Sequence, residues 1–400
     1  MSSELVFWRP RRGRPCAKSG RDRAMQAVYI ASLLNSTDPP DLEELRAIAR
    51  DVGFLSPEIR RQAWPLLLGV KLKVEEASKN ASSQALSTTH KDNKQVQLDV
   101  IRSMCNLGLR RRERERRLND LSTVIDSILA ANPDLHYYQG FNDVCSIAIL
   151  VMGSVEQARP VAERLAKFHF REAMNTTLLA VQQALKIILR IVERRDKKLY
   201  LALEETGVEP IYAISWILTW FAHDLRSLPQ IERVYDFFIA THPLMSLYLS
   251  ASVLSFFREG IIAARGDYAI VHGLLQTLPS DLPLDRLIAD AYRTFKLAPP
   301  HTVIAAASLE RERAFTPGSP WRDFPQFSTE NAEGFCARGS AGSYPRLIAW
   351  KKNSDRSSTW RRAVVSGQVG IISSAILGGC ILVHMAPNML RIENVIHAPR

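Results

Sequence analysis

The stretch Leu118-Asn119-Asp120-Leu121-Ser122-Thr123-Val124-Ile125-Asp126-Ser127-Ile128-Leu129-Ala130-Ala131 decides the fold class of this 400-residue chain. Its apolar residues, Leu118, Leu121, Val124, Ile125, Ile128 and Leu129, recur at intervals that place them on one face of a 3.6-period helix. Asn132-Pro133 stops that helix, because proline has no N–H to donate and disfavours helical backbone at the residue before it. The same periodicity extends outward. Helical patterning begins near Met25; Asp41 to Val52 and Pro57 to Val70 read as short amphipathic helices, and Leu178 to Val192 repeats the pattern. Val144–Met152, Ile211–Ala222 and Leu244–Phe257 are apolar runs. All three fall short of the ~20 residues a membrane span needs, so they are expected as buried core helices. No alternating strand pattern with hairpin turns recurs, and no repeat at a solenoid period is present. The spacing predicts an all-α domain.

Composition bounds the rest. An apolar content of 46% over this length can fill a large core. The formal charge of +11 is partly local. Arg9, Arg11, Arg12, Arg14, Lys18, Arg21 and Arg23 face only Glu4 and Asp22, and a second basic run covers Arg110 to Arg117. Such charge favours anionic lipid, nucleic acid or an acidic partner and says nothing about fold. Arg12-Gly13-Arg14-Pro15 resembles the core of an AT-hook, which would insert arginines into a minor groove. The alternative is a solvated basic tail near anionic lipid; with the membrane anchor argued below, nucleic acid is not expected as a partner. The five cysteines are scattered, without CxxC or Cys/His ligand spacing. Reduced thiols in a cytosolic setting, and no structural zinc, are expected. Asn-x-Ser/Thr triplets at Asn35, Asn80 and Asn175 are common by chance, and no apolar h-region of a secretory signal opens the chain.

Residues 1–24 read as a disordered basic arm, 71–95 as a polar loop, and 316–362 as a Gly/Ser/Pro-containing linker opened by Thr316-Pro317-Gly318-Ser319-Pro320. The linker leads to residues 363–385, AVVSGQVGIISSAILGGCILVHM, which carry no formal charge. That length spans a hydrocarbon core of ~30 Å as a helix. One more buried helix is the competing reading. It is disfavoured by the preceding linker and the lack of an amphipathic stripe. Lys351, Lys352, Arg356, Arg361 and Arg362 precede the segment, whereas only Arg391 and Arg400 follow it in the tail 386–400. The positive-inside rule then keeps the N-terminal domain cytosolic and makes this a single-pass, tail-anchored protein.

Two short segments carry the candidate chemistry: Val96-Gln97-Leu98-Asp99-Val100-Ile101-Arg102 and Tyr137-Tyr138-Gln139-Gly140. A guanidinium can neutralise charge building on transferring phosphates, and a carboxamide can hold an attacking water through one donor and one acceptor. In isolation, either residue is an ordinary surface group. Asp99 precedes Arg102 by one helical turn and can orient it, and Gln139 sits where an apolar helix is about to begin. The chain has no GxxxxGK(S/T) loop, GxSxG, HExxH or kinase signature set, so a self-contained NTPase or hydrolase is not supported.

In order along the chain, five blocks resemble the TBC-domain family of Rab GTPase-activating proteins. Ile59-Arg60-Arg61-Gln62-Ala63-Trp64 to Gly69 is similar to the family's opening RxxxW block, Val96-x-x-Asp99-x-x-Arg102 to its IxxDxxR motif with valine for isoleucine, and Tyr137-x-Gln139 to its YxQ motif. Ser215-Trp216 to Phe221 and Arg233-Val234-Tyr235-Asp236-Phe237-Phe238 resemble later helices. The resemblance implies an all-helical, two-lobed TBC domain over 25–315, with a core of about 45–300, plus the C-terminal transmembrane helix. It implies that Arg102 is an arginine finger and Gln139 a glutamine finger, both supplied in trans to a Rab-family GTPase. Asp99, Tyr137, Arg60, Trp64 and Gly140 match supporting motif positions, with Trp64 and Tyr137 expected as packing residues. No cofactor belongs to the chain itself; GTP and Mg²⁺ are carried by the Rab. Few members of the family carry a terminal span. The match implies an ER-anchored regulator of Rabs acting between ER and Golgi, with a mitochondrial outer-membrane address as the other option. The competing function is a catalytically inactive, membrane-tethered Rab-binding adaptor.

Overall fold

A computed structural model describes residues 20–35, 40–72, 90–105, 107–308, 315–316 and 319–323. Residues 1–19 of the expected arm, 73–89 of the expected loop and everything after residue 323 lie outside the described residues, including the linker's remainder, the segment 363–385 and the tail. All the described elements are helical: α1 (Gly20–Leu34), α2 (Leu42–Asp51), α3 (Pro57–Leu67), α4 (Asn93–Arg102), α5 (Arg111–Ala131), α6 (Phe141–Met152), α7 (Val155–Lys167), α8 (Leu179–Arg195), α9 (Lys197–Thr206), a 3₁₀ turn (Pro210–Ala213), α10 (Ile214–Leu218), α11 (Leu228–Ile239), α12 (Met245–Phe256), α13 (Arg258–Ala263), α14 (Tyr268–Gln276), α15 (Leu284–Leu297), α16 (Pro300–Ala306) and α17 (Pro320–Asp323). No strand occurs among them. None of these helices is long and apolar enough to cross a membrane.

Local chemistry sets the helix boundaries. Asp41 caps α2 by accepting from the Glu43 and Glu44 amides, with acids in the first turn and Arg50 in the last, each complementing the helix dipole. Ser56 caps α3 ahead of Pro57 at its first position, and Ser154 caps α7. The helix read from Leu118 begins seven residues earlier, at Arg111. The basic run is helical because Arg and Glu are strong helix formers, and Arg111 pairs with Glu115 one turn on.

One expected core helix is broken. Ile211–Ala222 divides into the 3₁₀ turn, α10, and a sharp turn in which Trp220 (φ 51°) and Phe221 (φ 66°) adopt left-handed backbone. Two such residues in succession cost of order 1–3 kcal/mol each and persist only where surroundings over-determine them. Here the Tyr138 hydroxyl donates to the Leu218 carbonyl (2.8 Å), and that of Tyr235 to the Thr219 carbonyl (3.0 Å). The Trp220 ring packs on Phe170, Tyr235 and Phe238.

Helices α5, α6 and α7 pack on one another, with α4 against α5 and α6, and α3 against α6. Further along the chain, α8 packs on α9, α12 and α16, and α12 packs on α15. Helices α2 and α11 link the two groups, since α11 touches α2, α3 and α15. Trp64, Trp216, Tyr235, Phe141, Phe221, Phe237 and Phe238 are fully buried; each contributes roughly 2–3 kcal/mol on removal from water.

Candidate functional site

Helix α4 buries Val96, Asp99 and Val100 and leaves Leu98, Ile101 and Arg102 exposed. Its polar residues tie it to α5: Gln97 donates to the Ser122 hydroxyl (2.9 Å) and Asn93 to Asp126 (3.2 Å). Arg102 ends the helix, where a cation complements the dipole. Its Nη2 donates to Asp99 Oδ1 (3.1 Å) and its Nε to the Leu98 carbonyl (3.0 Å), while the side chain remains 51% exposed. The guanidinium is thus aimed from its own helix and still presented to solvent. Asp99 also accepts from Gln95 (3.1 Å).

The Tyr137–Gly140 turn is bound to this helix at both ends. The Tyr137 amide donates to Asp92 Oδ2 (2.9 Å), just before α4. The Tyr137 hydroxyl lies between Asp99 Oδ2 (3.0 Å) and Asn142 Oδ1 (3.1 Å). Burial, reinforced by the Asp99 carboxylate, pushes the phenol well above its usual range, so it stays a donor. Asn142 completes the network: its carboxamide oxygen accepts the Gly140 amide (3.1 Å), and its nitrogen donates to Ser103 Oγ (2.9 Å), next to Arg102. The structure therefore brings Arg102, Asp99, Tyr137 and Gly140 into one hydrogen-bonded corner, with Gln139 in the turn between Tyr138 and Gly140. Gln139 is half-buried, and its carboxamide bonds no other described residue. Tyr137, expected as a packing residue, is a polar bridge; Asn142 and Asp92 were not singled out from sequence, although Asn142 follows the motif by two residues.

Gly140 opens α6 at φ 115°, where a side chain is strained. A Cβ there would lie 3.0 Å from Thr219 Cγ2, so the turn is seated directly on the bend after α10. Asp143, in the first turn of α6, pairs with His223 Nδ1 (3.2 Å) across that junction. The hydrogen bond to Asp143 raises the imidazole to about 9, against the opposing effect of burial. Burial raises the neighbouring Asp224 carboxyl to about 6. Neither residue stood out in the sequence.

Arg60 and Trp64 occupy a different place. Arg60 is buried and donates to Asp236 through Nε (3.1 Å) and Nη2 (3.0 Å), and to Glu232 through Nη1 (2.8 Å). Trp64 Nε1 and the Phe54 amide donate to the same Asp236 carboxylate, each at 2.8 Å. This cluster locks α3 to α11. It makes no hydrogen bond to the Arg102 network among the described residues; an aromatic run, Trp64–Tyr235–Trp220–Phe170–Tyr138, connects the two by packing. No group of three or more metal-ligating side chains occurs among the described residues.

The Rab-GTPase-TBC domain family matches residues 57–262, a span that contains Arg60, Trp64, Asp99, Arg102, Tyr137, Gln139 and Gly140. The chain is 34% identical over 322 residues to TBC1 domain family member 20 of Mus musculus, covering 80% of this chain and 79% of that protein. Identity to the Homo sapiens protein of that name is also 34%, over 77% of this chain and 76% of the relative. GTPase-activating protein gyp10 of Schizosaccharomyces pombe is 31% identical over 67% of this chain and 71% of its own length. Among solved structures, the Ypt/Rab-GAP domain of Gyp1p has the same fold, with a TM-score of 0.58 at 15% identity, covering 69% of this chain and 99% of that one. The chain belongs to the TBC-domain family of Rab GTPase-activating proteins.

Proposed function

We propose that this protein stimulates GTP hydrolysis by Rab-family GTPases of the early secretory pathway, lending Arg102 as an arginine finger and Gln139 as the group that positions water. The observation that carries the reading is the Tyr137 hydroxyl between Asp99 and Asn142, which ties the helix ending in Arg102 to the turn holding Gln139. Segments 37 positions apart (102 to 139) are thereby presented at one corner, as two groups serving one nucleotide must be. The guanidinium neutralises charge developing on the β- and γ-phosphates, and the carboxamide orients the attacking water. Nucleotide and Mg²⁺ arrive with the Rab.

Arginine fingers supply about 10³–10⁵ in rate, or roughly 4–7 kcal/mol of barrier. Phosphate release from a panel of GTP-loaded Rabs, with the full chain added, tests the assignment. Arg102→Ala and Gln139→Ala each remove most of the stimulation. Arg102→Lys fails as well, because an ammonium lacks the planar fork. Full stimulation by the Arg102→Ala protein overturns the reading, and Rab binding without stimulation of any Rab by the wild type points to an inactive adaptor.

Residues 363–385 serve in this proposal as a tail anchor in the ER membrane, with the catalytic domain cytosolic. The uncharged length of the segment and the basic residues before it support this. The full-length chain is expected to resist alkaline carbonate and to fractionate with ER rather than mitochondrial outer membrane; extraction by carbonate rejects the anchor.

A further inference from the structure

A helix that presents a reacting group from its last residue has a mechanical problem. Its final carbonyls lack intrahelical partners, and its end frays unless something outside it holds them. In α4 each carbonyl around Arg102 is held. Ser103 Oγ donates to the Asp99 carbonyl (2.8 Å), and the Cys105 thiol to that of Arg102 (3.2 Å). The carbonyls of Ile101 and Ser103, on either side of Arg102, are taken by one side chain from another helix: Arg114 reaches Ile101 through Nη2 (2.6 Å) and Ser103 through Nε (3.0 Å). The same Nη2 lies 3.2 Å from Cys105 Sγ. Met104, inside this turn, has φ 61° and a buried side chain, a backbone state that a non-glycine residue keeps only when its surroundings fix it.

Arg114 stands in the first turns of α5, a 21-residue helix packed on α6 and α7. Its side chain is half-buried. A guanidinium suits the task, because its rigid fork serves two diverging acceptors from one plane.

We propose that Arg114 is a positioning residue for Arg102. It clamps the end of α4 onto the rigid α5, so that the finger meets the nucleotide at a fixed depth. The proposal rests on Arg102 being the finger. Misplacing a reacting group by about 1 Å costs up to about 100-fold in rate, so the effect belongs in the maximal rate and not in recognition of the partner.

The test uses the full chain and the GTP-loaded Rab that responds most strongly to wild type in the panel above. Single-turnover hydrolysis is followed against chain concentration for Arg114→Ala, Arg114→Lys, Arg102→Ala and the double variant. Arg114→Ala and Arg114→Lys lower the maximal rate about 10- to 100-fold, while the half-saturating concentration stays within about twofold. The lysine variant keeps the charge but not the fork, so it reveals whether charge alone suffices. In the Arg102→Ala background, Arg114→Ala changes the residual rate by less than about twofold, since no finger remains to be positioned. A wild-type maximal rate in both Arg114 variants overturns the proposal. So does a change confined to half-saturation, or an undiminished loss in the Arg102→Ala background. Full activity of Arg102→Ala alone removes the finger reading itself, a result separable from all of these.

Discussion

At the scale of single residues, Tyr137 decides most. Its ring is half-buried, its amide is fixed by Asp92, and its hydroxyl meets Asp99, the same carboxylate that orients Arg102. Tyr137→Phe keeps the ring and deletes only the hydroxyl. Asp99 retains Gln95 and Arg102 as donors, so stability falls by about 1–2 kcal/mol. The stimulated rate falls further than that loss implies, because the hydroxyl ties the glutamine turn to the carboxylate that orients Arg102. Thermal unfolding and phosphate release on the same variant separate the two effects; an unchanged rate shows that the link is not needed. The pairing of Asp99 with Arg102 was legible in sequence, since three residues make one helical turn. The hydroxyl of Tyr137 was not. Its acceptor lies 38 residues away, and a YxQ string does not say whether a tyrosine packs by its ring or bonds by its oxygen.

Among the elements, the start of α6 is the most constrained. Tyr138 anchors one side of the turn to the Leu218 carbonyl, and Gly140 passes Thr219 with no room for a methyl group. Gly140→Ala adds a Cβ at φ 115°, 3.0 Å from Thr219 Cγ2. Backbone strain and overpacking together cost roughly 2–4 kcal/mol. The turn shifts to relieve the clash and takes Gln139 with it, so the stimulated rate falls while Arg102 and its partner Asp99 are untouched. A variant that melts like wild type and stimulates like wild type contradicts this seating. Legibility differs between elements for a physical reason. The helices α2, α3, α5 and α8 each have a polar face, and periodicity reports it. Residues 210–222 are apolar almost throughout, so nothing in their pattern marks the bend at Trp220 and Phe221. That bend exists because Tyr138 and Tyr235, distant in sequence, supply its hydrogen bonds.

Across the described helices, several long-range polar joints hold the elements in register, two of them described above. Arg60 reaches Asp236 across 176 positions, and Asp143 reaches His223 across 80. The blocks containing Arg60 and Asp236 were legible as family resemblance, but not as partners, because no local rule pairs residues so far apart. The second joint makes stability depend on pH. An unfolded histidine releases its proton near pH 6.5, whereas Asp143 holds that of His223 to about 9. Between those values the folded chain binds one proton more than the unfolded chain, so stability falls as pH rises. The contribution is complete below about pH 6.5 and lost above about 9, and it amounts to at most on the order of 3 kcal/mol. Asp224, raised to about 6, and His169, lowered to about 3 by burial, titrate below this window, while the Cys145 thiol, pushed well above its usual range by burial, adds to the decline at the alkaline end. Asp143→Asn removes the carboxylate that holds the proton. Unfolding of the detergent-solubilised full chain, followed from pH 6.5 to 9.5, is expected to show a steeper decline for wild type than for the variant, with the curves converging at the alkaline end. Curves that run parallel throughout mean that the Asp143–His223 pair does not carry the pH dependence.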